Sequence, residues 1–231
     1  MKTYNPGKPL ISLHVPKCAG QSFRRLLTGW FGDNFFIHYF QQHNALPEKH
    51  PLKPGMCIHG HFDRRKNIGA KDYYPAVDQF ITLWRDPLEM AISNYFFWKR
   101  KARQRQIDLG IITEGGEHDY KSIDDFFQKR PRSHILDFLP DDLTPGNYRE
   151  ILESRFVWIG LVENLDESLP VLADCLGFKQ VPIDRINVSP RDEELSPDIR
   201  EAYINNNRLE FNIYRYLLEW WSLRPKPGVN P

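Results

Sequence analysis

The stretch His14-Val15-Pro16-Lys17-Cys18-Ala19-Gly20-Gln21-Ser22 puts a cation, a glycine and a hydroxyl into one turn, residue types that grip phosphate. Lys17 supplies a mobile point charge and Ser22 a hydroxyl donor. A strand-to-helix junction at this point would add unpaired backbone N–H groups at the positive end of a helix. Arg85 and Ser93 form a second such pair, the guanidinium offering a forked donor and the hydroxyl one more hydrogen bond. Two separated grips imply a ligand phosphorylated at two places. Between them, His59-Gly60-His61 sets two imidazoles on one face of an extended chain, where either could take a proton from a hydroxyl near neutral pH. Plainer roles compete for each residue. The first turn could be an ordinary βα connection with a solvated lysine, Arg85 could pair with Asp86 or Glu89, and one histidine could hold a backbone carbonyl. Zinc is a further competitor for the histidine pair, but no third ligand stands at a telling distance, so no metal site is expected.

The elements that must position these residues follow from periodicity. Residues 10–15 form a short β-capable run that 16–20 breaks, and Phe23, Leu26, Leu27 and Trp30 then recur at helical spacing. The intervening turn lacks the G-x-x-x-x-G-K-[ST] pattern of nucleoside triphosphatases. Another short strand approaches His59. Residues 80–84 are a strand ending in Arg85, after which Asp86 can cap a helix, Pro87 fits its first position and Glu89 can complete a capping box. Leu88, Ile92 and Phe96 continue on one face. Ser93 lies about two turns beyond Asp86, on the same side as the cap, so it can converge with Arg85 above the strand end.

Residues 156–162 are a further buried strand and 168–176 a helix, with Pro170 in an early turn. Glu163 stands where that strand ends, in a helix-start or packing role at least as well as a chemical one. Ser196 and Pro197 announce C-terminal helices whose aromatics, Tyr203, Phe211, Tyr214, Tyr216, Trp220 and Trp221, should pack against the sheet. Residues 100–150 are the least regular, with Gly115-Gly116, Pro131, Pro140, Pro145 and a helical patch at 123–128. Such a segment suits an acceptor-binding cap. The basic run 99–105 before it reads as a solvated helix end, with Arg103 and Arg105 as candidates for an anionic acceptor. The expected fold is α/β, a P-loop-like three-layer arrangement with a central, mostly parallel sheet flanked by helices, in a single domain over 1–231.

Composition bounds the partners. Lys and Arg number 31 against 30 Asp and Glu, a net charge of +1, which argues against nonspecific nucleic-acid binding but leaves room for a local basic cleft. The 41% hydrophobic content is enough for one substantial core. No long apolar run marks a signal peptide or a membrane span, so no stable membrane insertion is expected. The 3 cysteines, Cys18, Cys57 and Cys175, have neither metal-motif spacing nor an even number, which points to a reducing, cytoplasmic setting.

Taken together, these segments resemble the sulfotransferase superfamily, whose donor is 3′-phosphoadenosine 5′-phosphosulfate. Pro16-Lys17-Cys18-Ala19-Gly20-Gln21-Ser22 is similar to its 5′-phosphosulfate loop. Arg85-Asp86-Pro87-Leu88-Glu89-Met90-Ala91-Ile92-Ser93-Asn94-Tyr95 closely resembles the 3′-phosphate segment, in which the arginine and serine hold that phosphate. Asn187-Val188-Ser189, with Arg191 beyond it, is similar to the later loop that closes over the nucleotide. Gly160-Leu161-Val162-Glu163 and Asp166-Glu167-Ser168-Leu169 resemble the unit before that loop. His59-Gly60-His61 looks like the branch containing the heparan and uronyl 2-O-sulfotransferases, whose second histidine is associated with the general base.

The resemblance thus implies His61, with His59 as the alternative, as base, Lys17 as leaving-group stabiliser, and Lys17, Cys18, Ala19, Gly20, Gln21, Ser22, Arg85, Ser93, Asn187, Ser189 and Arg191 as donor contacts. No metal is implied. The acceptor would be a hydroxyl, on a glycan or a small molecule, with Tyr95 or Trp98 available to stack on a sugar. Golgi members begin with an anchor that is not seen here, so the chain looks like a compact bacterial relative. Cys18 and Gln21 depart from the family, standing where hydroxyl residues are common. The alternatives from other classes are a P-loop nucleotide kinase and a noncatalytic nucleotide-binding module.

Overall fold

In the computed structural model the structure describes residues 1–41, 45–109, 120–182 and 191–224, with 103–109 by backbone alone. Five strands form one sheet: β1 (Leu10–Leu13), β2 (Phe35–His38), β3 (Cys57–Gly60), β4 (Phe80–Trp84) and β5 (Phe156–Leu161). Their spatial order is β2-β3-β1-β4-β5, and all four pairings are parallel. Every residue of β1, β3, β4 and β5 is buried, which requires cover on both faces of the sheet. Helices supply it. The architecture is the expected three-layer α/β fold with a parallel central sheet.

The chain passes from β1 through α1 (Gly20–Phe31) to the edge strand β2, returns to β3, and then crosses β1 to reach β4 by way of α2 (Ala70–Tyr73). β1 therefore lies at the point where the chain reverses direction across the sheet. In open parallel sheets, ligands settle at the carboxyl ends of strands beside such a reversal.

Beyond β4 runs α3 (Pro87–Leu109), then α4 (Ile123–Lys129), α5 (Tyr148–Arg155), α6 (Leu165–Leu176), α7 (Pro197–Asn206) and α8 (Arg208–Ser222). The main core packs against the sheet around Phe23, Phe80, Trp84 and Trp158. A second cluster, including Ile92, Tyr95, Phe126, Phe127 and Tyr203, holds α3, α4 and α7 together. This second cluster corrects the expectation that Tyr203 packs against the sheet. Trp221 and Tyr214 do meet the main core, and the Trp221 indole donates to the Ile159 carbonyl at 3.0 Å. The segment read as irregular from residue 100 is helical to Leu109 and again at α4 and α5.

Candidate functional site

Three adjacent strands end side by side, and each delivers one part of a site. β3 leads to His61, β1 to the 14–20 loop, and β4 to Arg85. Neighbouring parallel strands are about 4.8 Å apart, so the three parts span about 10 Å across the carboxyl edge of the sheet.

The loop after β1 is built for backbone donors. Lys17 (φ 66°) and Ala19 (φ 52°) both adopt the left-handed conformation, unusual for non-glycine residues, and the chain coils into the first turn of α1. Ala19 is the N-cap of α1 and provides no side-chain cap, and the leading N–H groups of the helix start at this loop. Alternating helical and left-handed residues make such a turn an anion cradle. The same coil turns Cys18 inward. Its thiol is buried at 1% exposure, burial pushes its pKa up to about 12, and its N–H is spent on the Val15 carbonyl at 3.3 Å. Cys18, expected among the donor contacts, is therefore a core residue. Gln21 is exposed and Ser22 lies buried in the first turn.

Lys17 turns the other way, with Nζ 4.0 Å above the centre of the Phe97 ring. Burial, and then repulsion from Arg100, Arg85 and Lys101, lowers its pKa to about 8. Part of that shift comes from the three neighbouring cations, a surplus of positive potential that an anion would relieve.

Arg85 donates to the Lys17 carbonyl at 3.2 Å, tying the end of β4 to the loop after β1. As the spacing implied, Asp86 caps α3, its Oδ1 accepting from the N–H groups of Leu88 and Glu89 at 2.9 Å each. Glu89 does not complete the capping box. Its carboxylate instead lies 3.6 Å from the Arg85 guanidinium and accepts from Arg191 at 2.6 Å, which holds its pKa below the usual range. Arg191 is thus engaged by a carboxylate beside Arg85. Glu89, Ser93, Phe97 and Lys101 follow one another at i,i+4 and share one stripe of α3. Since Glu89 meets Arg85 and Phe97 meets Lys17, Ser93 falls between the two cations on the loop-facing side. Its hydroxyl has no hydrogen-bond partner among the described residues. Glu163, at the end of β5, accepts from the Asp86 N–H at 3.1 Å and so serves to join two strand ends.

The histidines divide by depth. His59 is 0% exposed, its Nδ1 shares a 2.9 Å hydrogen bond with Ser12 Oγ, and burial lowers its pKa to about 3. A neutral imidazole sealed in the sheet cannot reach an acceptor, so His59 is corrected to a supporting residue. His61 stands at the rim. Its Nδ1–H donates to the His14 carbonyl at 2.8 Å, which leaves the Nε2 lone pair as its free acceptor. Burial lowers the His61 pKa, although the His14 carbonyl and Asp63 oppose the shift. Gly60 makes this corner close-packed, for a Cβ there would stand 1.9 Å from the His38 carbonyl oxygen.

Sequence reasoning missed His14 and Tyr39. The His14 ring stacks on His61 with centroids 4.3 Å apart, and its Nδ1 shares a 2.7 Å hydrogen bond with the Tyr39 hydroxyl. Phe138, from the turn Ile135–Phe138, stands beside His61 with ring centroids 5.8 Å apart. Tyr95, expected to stack on a sugar, is buried in the second cluster, with its hydroxyl donating to Glu193 at 2.7 Å. Lys99, at the head of the basic run, pairs with Asp192 and Glu193. Asn187 and Ser189 lie outside the described residues, as do the side chains of Arg103 and Arg105. Among the described residues, no group of three or more His, Cys, Asp or Glu side chains is arranged to hold a metal ion, and no helix is long and apolar enough to cross a membrane.

No protein-family model and no curated protein sequence matches this chain. Among solved structures it is similar to the mouse sulfotransferase SULT7A1 complexed with PAP, at 9% sequence identity and a TM-score of 0.47, with 88% of this chain covered. The match spans 64% of that mouse chain. The chemistry of the site is accordingly read from its own residues.

Proposed function

We propose that this protein is a sulfotransferase that moves the sulfuryl group of 3′-phosphoadenosine 5′-phosphosulfate to an acceptor hydroxyl, with a sugar as the favoured acceptor. The observation that carries the reading is the order of parts along the sheet edge. A neutral imidazole, a helix start with a lysine, and an arginine follow one another at the ends of β3, β1 and β4, with a serine on α3 beside the arginine. A donor with phosphate at both the 5′ and 3′ positions matches two anion grips, and the imidazole lies beyond the 5′ grip, on the side away from Arg85.

In this arrangement the N–H groups of Gly20, Gln21 and Ser22 and the ammonium of Lys17 hold the 5′-phosphosulfate. Arg85 and Ser93 hold the 3′-phosphate, with Arg191 released from Glu89 to assist. The acceptor oxygen attacks sulfur as the bond from sulfur to the bridging oxygen breaks. The acceptor proton passes to His61 Nε2, and the electron pair of the broken bond stays on the departing phosphate. Negative charge grows on that oxygen in the transition state, where Lys17 and the helix N-terminus are aimed in advance. Tyr39 and Phe138 beside His61 offer rings to the acceptor, which favours a sugar.

The test is calorimetric titration with 3′,5′-adenosine bisphosphate, ATP and 5′-AMP, followed by transfer of labelled sulfuryl to glycan acceptors. Preferential binding of the bisphosphate with transfer supports the reading. Binding without transfer favours a nucleotide-binding module, and preference for ATP favours a kinase-like protein. His61→Ala is expected to lower kcat by about a hundredfold or more while leaving bisphosphate affinity within about twofold.

A further inference from the structure

We infer that His14 and Tyr39 form a positioning pair that fixes the ring plane and tautomer of His61, an inference that rests on the role of His61 proposed above.

Four contacts converge on this arrangement. The His14 carbonyl takes the His61 Nδ1–H at 2.8 Å, which commits the proton to Nδ1 and the lone pair to Nε2. The His14 ring lies 4.3 Å from the His61 ring at an interplanar angle of 21°, so the two imidazoles are stacked. Tyr39 then holds both rings. Its hydroxyl shares a 2.7 Å hydrogen bond with His14 Nδ1, and its ring stands at 88° to His61 with centroids 4.9 Å apart. Below the pair, His14 also stacks at 5.3 Å on the sealed His59, itself anchored to Ser12. The backbone has been fitted around this ring. A Cβ on Gly20 would stand 1.7 Å from His14 Nε2, so only glycine at the start of α1 leaves the ring its place.

A ring with a fixed carbonyl on one side, a stacked ring on its face and a phenol edge on the other has one orientation available. That matters because a general base must meet the acceptor proton at hydrogen-bond distance, and a displacement of about 1 Å can cost a hundredfold in rate. His14 is suited to the task because burial and the neighbouring His61, His59, Arg24 and Lys17 hold its pKa well below the usual imidazole value. It stays neutral beside His61 and does not repel the proton that His61 receives.

The variants are Tyr39→Phe, which removes one oxygen, and His14→Ala, which removes the ring but keeps the carbonyl. The first readout needs no activity: long-range 1H–15N NMR of the histidine rings in the free protein, with His61 assigned through His61→Gln. The wild type is expected to hold His61 as the single Nδ1–H tautomer, and both variants as a mixture, because a ring freed to turn carries Nδ1 away from the retained His14 carbonyl. The second readout is transfer kinetics, with kcat expected to fall about tenfold in Tyr39→Phe and further in His14→Ala, and the donor KM to stay within about twofold. An Nε2–H tautomer in the wild type, a single Nδ1–H tautomer retained in both variants, or kcat within twofold of wild type overturns the inference. Should the wild type transfer no sulfuryl group, the functional reading falls, and the NMR result alone still decides whether the pair positions the ring.

Discussion

Lys17 is the group in the anion loop whose protonation should respond most to ligand. In the free protein, burial and the cations Arg100, Arg85 and Lys101 hold its pKa at about 8. The attraction of a bound dianion opposes both the burial and the repulsion and raises the pKa towards its ordinary value, so binding near pH 8 must take up protons. With a free pKa of about 8, uptake of about 0.5 proton per site is expected at pH 8 and about 0.1 at pH 7. The sign for affinity is fixed by the same cycle. A group whose pKa rises on binding supports the complex below its free pKa, so affinity falls as pH climbs through 8. Between pH 7 and pH 9 the loss is about fivefold to tenfold, the smaller figure allowing for solvent that reaches the partly exposed ammonium.

The assay is calorimetric titration with 3′,5′-adenosine bisphosphate at pH 8 in two buffers of different ionisation enthalpy, whose difference counts the protons. Phosphate monoesters, with a second pKa of about 6, are already fully ionised at that pH. His14, His59 and His61 are lowered below 6.5 and remain neutral throughout. Lys17→Arg keeps the charge but does not titrate, so it should bind without proton uptake. Tight binding by the wild type with no uptake at pH 8, or uptake that survives in Lys17→Arg, would refute the account of the loop.

Three further outcomes are expected. Arg85→Ala should weaken the bisphosphate at least tenfold, about 1.4 kcal/mol, since it removes a charge-assisted contact; unchanged affinity in a folded variant would remove the 3′ grip. Glu89→Gln should tighten the bisphosphate by about twofold to fivefold, because it removes the carboxylate that now engages Arg85 and Arg191; weaker binding would mean that Glu89 serves to orient Arg85 for the ligand. Gly60→Ala should cost about 2–3 kcal/mol in urea unfolding, because its Cβ would meet backbone atoms of His38 across the β2–β3 pairing. A denaturation midpoint equal to wild type would show that the two strands can move apart there.

The parts of the fold that could be read from sequence are those fixed by neighbours along the chain. β4 was expected over 80–84 because an unbroken apolar run ends at Arg85, and the Asp86-Pro87 start of α3 is a local hydrogen-bonding pattern. The length of α3 was legible too, since no glycine or proline separates Pro87 from Gly110, yet its basic run was read as a helix end. A solvated helix tolerates such a run when carboxylates from elsewhere pair with it, as Asp192 and Glu193 do with Lys99. The inward turn of Cys18 was not legible. It depends on left-handed backbone at Lys17 and Ala19, residues that give no local hint of it.

The role of Glu89 was misread for a related reason. Its capping-box position is a local pattern, whereas Arg191, which claims its carboxylate, lies 102 residues away. Tyr39 and His14 are the sharper case. They are 25 residues apart, and although His14 heads the anion-loop stretch, no local pattern ties it to Tyr39 or His61. What joins them is the insertion of β3 between β2 and β1, which carries the ends of three strands to one corner and sets His61 between the two. The same topology accounts for the order of the proposed site. Because β1 is flanked by β3 on one side and β4 on the other, the loop that ends in α1 must lie between His61 and Arg85. A donor gripped by that loop and by Arg85 can then offer only its remaining side to the imidazole, so the strand order sets the direction from which an acceptor would have to approach.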